Sequence, residues 1–135
     1  MSIENIPETH MDLISDDVQS YAYLATSMPD GSPQVTPVWF NTDDMHLLIN
    51  SAKGRVKDRN MRARPNIAVA IHSQDKPYRY IQLRGEVVEI TEVDARQHIN
   101  ELSKKYTGNP HYTLNDPDEV RVIYKLLPKR IHVMG

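Results

Sequence analysis

The 135-residue sequence has no cysteine, one tryptophan, one phenylalanine and five glycines. Without cysteine there is no disulfide framework, no thiol nucleophile and no thiolate metal site. The glycines fall in neither a G-x-G-x-x-G nor a Walker A pattern, so the glycine-rich loops that cradle phosphates are missing. No apolar run approaches the roughly 18 residues of a membrane-spanning helix. Met1 to Pro7 has neither a basic start nor an apolar stretch, so no signal peptide is read there. Sixteen Lys+Arg against eighteen Asp+Glu leave a net charge of −2. That lacks the positive excess that nucleic-acid or acidic-membrane binding over the whole surface needs. The expectation is one soluble, cytoplasmic domain over residues 1–135, large enough for one core and too short for a (β/α)₈ barrel.

What is present reads as strands joined by tight turns. Residues 18–28, 34–41, 45–51, 66–72, 78–90 and 119–134 are rich in β-branched and aromatic types, which gives six strands. Pro29-Asp-Gly-Ser-Pro33 is a turn cluster, and Pro37 marks an edge or a bulge because it cannot donate to a ladder. Gly85 marks a possible bulge in the long strand, and Pro128 breaks the last one. Residues 8–15 and 54–63 read as short helices. The clearest helix is 92–106, where Ala95, Ile99, Leu102 and Tyr106 share a face. Thr91 and Asp94 have capping-box spacing, Gly108 stands where a C-cap glycine belongs, and Glu101 and Lys105 form an i,i+4 pair. Strands and helices do not alternate regularly, so the fold class is mainly β with peripheral helices: a six-stranded antiparallel barrel.

The strongest local anomaly is the segment 53–64. Lys53, Arg55, Lys57, Arg59, Arg62 and Arg64 face only Asp58 there. The segment follows a strand, and the Ser51–Gly54 junction leads into a helix. Free N–H groups at a helix start, beside Arg55 and Lys57, suit a phosphate. A solvated basic face is the competing reading, and composition leaves both open. A nucleic-acid surface is disfavoured because the patch is single. Other chemistry is hard to find. No His pair has zincin spacing, no G-x-S-x-G occurs, and Asp16-Asp17 and Asp43-Asp44 read as turn residues. His46, His72 and His132 lie in strand-like runs and read as packed or surface side chains. Trp39-Phe40 and Tyr78-Arg-Tyr80 are either core packing or the walls of a flat apolar slot for a planar ring.

These pieces occur in one order: Leu24-Ala-Thr26, Asp30-Gly-Ser-Pro33, Pro37-Val-Trp-Phe40, Gly54-Arg-Val-Lys57 with Asn60, Pro77-Tyr-Arg-Tyr80, Arg84-Gly85 and Tyr106-Thr-Gly108. The ordered set, over about residues 10–134, resembles the pyridoxamine 5′-phosphate oxidase-like split-barrel superfamily. Within it, the set is similar to the flavin/deazaflavin oxidoreductases. The resemblance implies a homodimer of split β-barrels with cofactor sites at the subunit interface, and coenzyme F-420 (a deazaflavin) or FMN as cofactor. It implies that Arg55 and Lys57 hold the cofactor phosphate with help from Asn60. Val38 and Trp39 would run along the planar ring, and Asn50 and Ser51 would line the ribityl-to-phosphate stretch. The Pro77, Tyr78 and Arg79 loop would approach the cofactor. The chain stops at Gly135, just after its last strand, without the C-terminal segment that true pyridoxamine 5′-phosphate oxidases use to hold their substrate, so vitamin-B6 oxidation is not expected. The activity implied is hydride transfer from reduced cofactor to an unsaturated small-molecule acceptor, with no catalytic side chain assigned. The alternatives are an FMN-dependent oxidoreductase or FMN-binding protein of the same fold, and a non-enzymatic binder of flavin or tetrapyrrole.

Overall fold

A computed structural model describes residues 1–135. Two short 3-10 helical segments, Ile3–Asn5 and Glu8–Ile14, precede the first strand. The strands are β1 (Ala22–Ser27), β2 (Pro33–Val38), β3 (Phe40–Thr42), β4 (Leu47–Ala52), β5 (Asn66–His72), β6 (Tyr80–Thr91) and β7 (Arg121–Met134). Helix α1 (Val56–Ala63) links β4 to β5, and α2 (Ala95–Thr107) follows β6. All strands pair antiparallel in the order β2-β1-β5-β6-β7-β4-β3. The two edge strands, β2 and β3, are separated in the chain by Trp39 alone. One residue spans only about 7 Å between its neighbours, so the sheet must curl until its edges meet at that corner.

Inside the curl, alternate residues of each strand form the core. Leu24, Phe40, Ile49, Ile71, Ile81, Leu83, Tyr124 and Leu126 are almost fully buried, and Ile3, Ile6 and Leu13 from the N-terminal turns join the same cluster. Each such side chain contributes about 1.5–3 kcal/mol on removal from water. The period-two burial along β1 and β5 is the alternation that places Leu24, Val69 and Ile71 inward.

Several expectations change here. There are seven strands rather than six, because Trp39 divides residues 34–41 into β2 and β3, which belong to opposite edges. Pro37 does lie on an edge strand. Pro128 does not break β7. It stands opposite Gly85 at a register shift, where the missing N–H is tolerated. Helix α2 has no capping box. Its N-cap Asp94 is left-handed (φ 60°) without a side-chain cap, and Thr91 Oγ1 accepts from Val93 N instead. Lys105 is drawn from Glu101 to the carbonyl of Phe40 at 3.0 Å. Gly108 caps α2 as expected, with φ 82° and its N–H on the Lys104 carbonyl.

Gly85 has a packing reason. A Cβ there would stand 2.1 Å from the Leu127 carbonyl oxygen. Gly85→Ala is therefore expected to lower stability by about 1–3 kcal/mol, read from urea unfolding. Unchanged stability would show that β7 can slide away from β6 at no cost.

Candidate functional site

β4 ends at Ala52, and Arg121 opens β7 directly opposite it. Helix α1 starts four residues after Ala52, so the ends of two strands and the start of one helix meet at one rim. The corner residue Trp39 closes the other side. Between them lies a cleft of about 240 Å³, lined by Tyr21, Pro37, Val38, Trp39, Asn50, Ser51, Arg55, Lys57, Ile99, Tyr112 and Arg121.

One wall is aromatic. Trp39 stacks on Tyr106 with ring centres 5.3 Å apart and planes at 5°, and Tyr106 stacks in turn on Tyr21 at 5.4 Å. Tyr112 meets Trp39 edge-on. The Tyr106 hydroxyl donates to the Ser20 carbonyl at 2.6 Å, which pins the middle ring of the stack. Burial pushes the Tyr106 phenol well above its ordinary range, so it stays protonated.

The opposite rim is a set of donors. Arg55 is exposed at the N-cap of α1, Lys57 is half-buried, and neither makes an ion pair. Burial, followed by the charges of Arg55 and Arg121, lowers Lys57 from the usual lysine range. Ser51 is 1% exposed, and its Oγ has no hydrogen-bond partner. The first N–H groups of α1 also lack partners inside the helix. Cations without counter-ions, an orphaned buried hydroxyl and a helix start converge on one rim, and a phosphate satisfies all three.

The rim is held rigid by Asp58. This buried carboxylate accepts from Gly54 N at 2.8 Å, Arg62 Nε at 2.9 Å and the Tyr124 hydroxyl, which ties the first turn of α1 to β7. Burial raises its pKa, but these three donors outweigh that and hold the carboxyl below its ordinary value.

The expected site residues divide into three groups. Val38, Trp39, Asn50, Ser51, Arg55 and Lys57 are brought together in the cleft. Asn60 lies outside its lining. Its amide nitrogen donates to Thr26 Oγ1 at 3.0 Å and to Met28 Sδ, which fastens α1 to β1. Pro77, Tyr78 and Arg79 are also outside it: Tyr78 is 82% exposed, and Arg79 pairs with Asp12 at 2.6 Å. The lining residues not expected from sequence are Tyr21, Pro37, Ile99, Tyr112 and Arg121. Only Arg121 carried a legible signal, as the lone cation that opens an apolar run, Val122-Ile-Tyr124.

A larger hollow of about 600 Å³ lies along β1, β5, β6 and β7, beside Arg84, Lys129 and Arg130. Lys129 already pairs with Glu86, no aromatic ring lines the hollow, and none of the three unpartnered buried hydroxyls faces it. The chemistry therefore concentrates in the smaller cleft. No cluster of three His, Asp or Glu side chains is arranged to hold a metal ion. No helix is long and apolar enough to cross a membrane.

Known proteins share this fold. Among solved structures, an F420 reductase is 31% identical with a TM-score of 0.80, and the match covers 94% of this chain and 98% of that one. A conserved hypothetical protein from Mycobacterium tuberculosis is 21% identical with a TM-score of 0.74, over 96% of this chain and 85% of that one. General Stress Protein 26 from Bacillus anthracis is 22% identical with a TM-score of 0.66, over 93% of this chain and 94% of that one. The last two likenesses establish the fold alone. No curated protein matches the sequence. The family model described as pyridoxamine 5′-phosphate oxidase matches residues 7–135, which include the whole curled sheet and all of the cleft. The chain accordingly belongs to the pyridoxamine 5′-phosphate oxidase family and has its split-barrel fold.

Proposed function

We propose that the protein is an oxidoreductase that holds a phosphorylated deazaflavin, coenzyme F-420, in the Trp39 cleft and serves hydride transfer to an unsaturated small-molecule acceptor. The observation that carries this is the pairing of a flat aromatic wall with an unpartnered donor rim in one cleft. The 31% identity to an F420 reductase supports the choice of cofactor. The residues fit such a group: Ser51 Oγ lacks an acceptor or donor, and Arg55 and Lys57 lack counter-charges.

When bound, the deazaflavin supplies the hydride, so the protein's contribution is position and electrostatics. Arg55 and Lys57 neutralise the phosphate, and Ser51 hydrogen-bonds to it. Asn50 borders the ribityl stretch. Val38 and Trp39 face the ring, and the Tyr106 stack keeps Trp39 from turning away. Asn60 acts from behind by fixing α1. The exposed Pro77–Tyr78–Arg79 loop completes the site from a second copy of the chain in a homodimer, where the acceptor also enters. FMN also carries a phosphate on a ribityl chain, so the same residues serve it in the competing reading of an FMN-dependent enzyme or binder.

The test uses Trp39, the only tryptophan, as a fluorescent reporter in the cleft wall. Titration of the apo-protein is expected to show quenching by coenzyme F-420 at lower concentration than by FMN. Lys57→Ala is expected to weaken binding about 10- to 100-fold, the loss of a charge-assisted bond. Its folding should be intact, because Lys57 has no partner to strand. Unchanged affinity in this variant would remove the phosphate site, and stronger FMN binding would move the protein to the FMN reading. Turnover faster than that of free reduced cofactor separates an enzyme from a binder.

A further inference from the structure

We infer that Arg121 is a third phosphate-reading cation of the cleft and that His98 is the positioning residue that aims it. The inference rests on the cofactor reading above and adds two residues to it.

Arg121 opens β7, and its side chain is 4% exposed, yet it lines the cleft. Its Nε donates to Asn50 Oδ1 at 2.9 Å, and its Nη1 donates to Glu119 Oε2. The guanidinium lies 5.2 Å from the ring centre of Tyr112, which limits its movement on the loop side. Nη2 has no hydrogen bond within the chain and is not among the sealed polar atoms. A guanidinium locked on one side with donors left on the other is prepared for an oxyanion. Its charge also reaches Lys57, whose basicity it lowers, so the two cations share one rim. Glu119 engages only one terminal nitrogen and leaves the other to a ligand.

The aim of Arg121 depends on the orientation of Asn50. The Asn50 amide nitrogen donates to the Ala95 carbonyl at 2.9 Å and to His98 Nδ1 at 3.1 Å. That leaves Oδ1 as the only Asn50 atom able to accept from Arg121. His98 Nδ1 therefore accepts, and Nε2 carries the proton and donates to Asn41 Oδ1 at 2.8 Å. Each bond in the series Asn41, His98, Asn50, Arg121, Glu119 has one permitted direction. With the acceptor at position 98 removed, only the Ala95 carbonyl still holds the Asn50 amide nitrogen and one buried N–H is left unpaired. The amide then sits less firmly, and the guanidinium that leans on its Oδ1 is less well aimed at the rim.

The experiment measures Trp39 quenching in the full chain with two ligand pairs: FMN and riboflavin, and the 5′-phosphate of the ribityl deazaflavin and the same ribityl deazaflavin without phosphate. Within each pair the ring and ribityl chain are the same, and only one member carries phosphate. Arg121→Met is expected to lose about tenfold in affinity for the phosphorylated member and nothing for its partner, the size of one charge-assisted bond. His98→Leu is expected to lose in the same direction, three- to tenfold. His98→Gln should restore it, because its carbonyl accepts from Asn50 and its amide donates to Asn41. A thermal melt identifies any variant that fails to fold, and the Leu/Gln contrast at position 98 then carries the test. Wild-type affinity in both Arg121→Met and His98→Leu overturns the inference. So does equal loss for both members of a pair, which is what a packing role produces. Failure of the cofactor reading looks different: the wild type and Lys57→Ala would then show no preference for the phosphorylated members at all.

Discussion

Replacing Asp58 by alanine is expected to lower the folding free energy by about 3–5 kcal/mol, the range for stripping one partner from a buried ionic cluster. Asp58 is 2% exposed and accepts from Gly54 N, Arg62 Nε and the Tyr124 hydroxyl. Arg62 is 40% exposed on its side chain and can turn to water. The buried Tyr124 hydroxyl cannot, and a buried donor left unpaired costs about 1–3 kcal/mol. For a chain of this size the loss corresponds to a melting temperature roughly 10–20 °C lower. Asp58→Asn, which keeps one accepting oxygen, should lose less. Because the folded carboxyl titrates below its ordinary value, its contribution is complete above the unfolded value and falls away only as pH drops through the lower, folded one. The same variant should bind phosphorylated cofactor weakly even where it folds, since the first turn of α1 presents Arg55 and Lys57. An Asp58→Ala protein that melts within 1–2 °C of wild type would show that this cluster does not anchor the helix.

Why some elements could be read from sequence and others not follows from what determines each. β5 was legible end to end because Asn66–His72 is a short β-branched run between Pro65 and a polar loop, and it pairs on both sides in the middle of the sheet. The end of α2 was legible because Gly108 meets a local need for φ 82°. The break at Trp39 was not legible. Pro37-Val-Trp-Phe40 is continuous in local character, and only sheet closure sends its two halves to opposite edges. The start of α2 misled for a similar reason. Thr91 and Asp94 have capping spacing, but β6 runs on to Thr91 and leaves Asp94 to turn left-handed into the helix.

The site divides along the same line. Arg55 and Lys57 stand in a charge run after a strand, which singled them out locally, whereas Ser51, which the structure also places in the cleft, was pointed to only by the family resemblance. Asn50, His98 and Arg121 are 48 and 71 positions apart across their hydrogen bonds, and only the register of β4 with β7 and the packing of α2 brings them together. His98 gave no sign in a helix read for its apolar face, yet it sits on the buried side next to Ile99. With Ser103 it is one of two polar residues on the buried face of α2, and it stands opposite the strand that carries Asn50.

That buried imidazole also sets how the protein responds to acid. Burial, and then the charge of Arg121, push His98 from 6.5 down to about 4. In the folded chain it stays neutral as pH falls, while in the unfolded chain it takes up a proton near 6.5. The unfolded state thus binds more protons through this window, and stability must fall with pH. The contribution is whole above pH 6.5. It is reduced by about 2 kcal/mol at pH 5 and by about 3 kcal/mol as pH reaches 4, at 1.36 kcal/mol per unit. Asp58 and Glu119 are held low, so they add to the loss only as pH falls past their unfolded values, near 3.8 and 4.5. Urea unfolding at pH 7, 6, 5 and 4.5 is expected to show the decline in the wild type and a much flatter line in His98→Gln, which has nothing to titrate. Parallel declines would place the acid sensitivity in another group and would mean that His98 is not sealed between α2 and β4 as its bonds to Asn41 and Asn50 require.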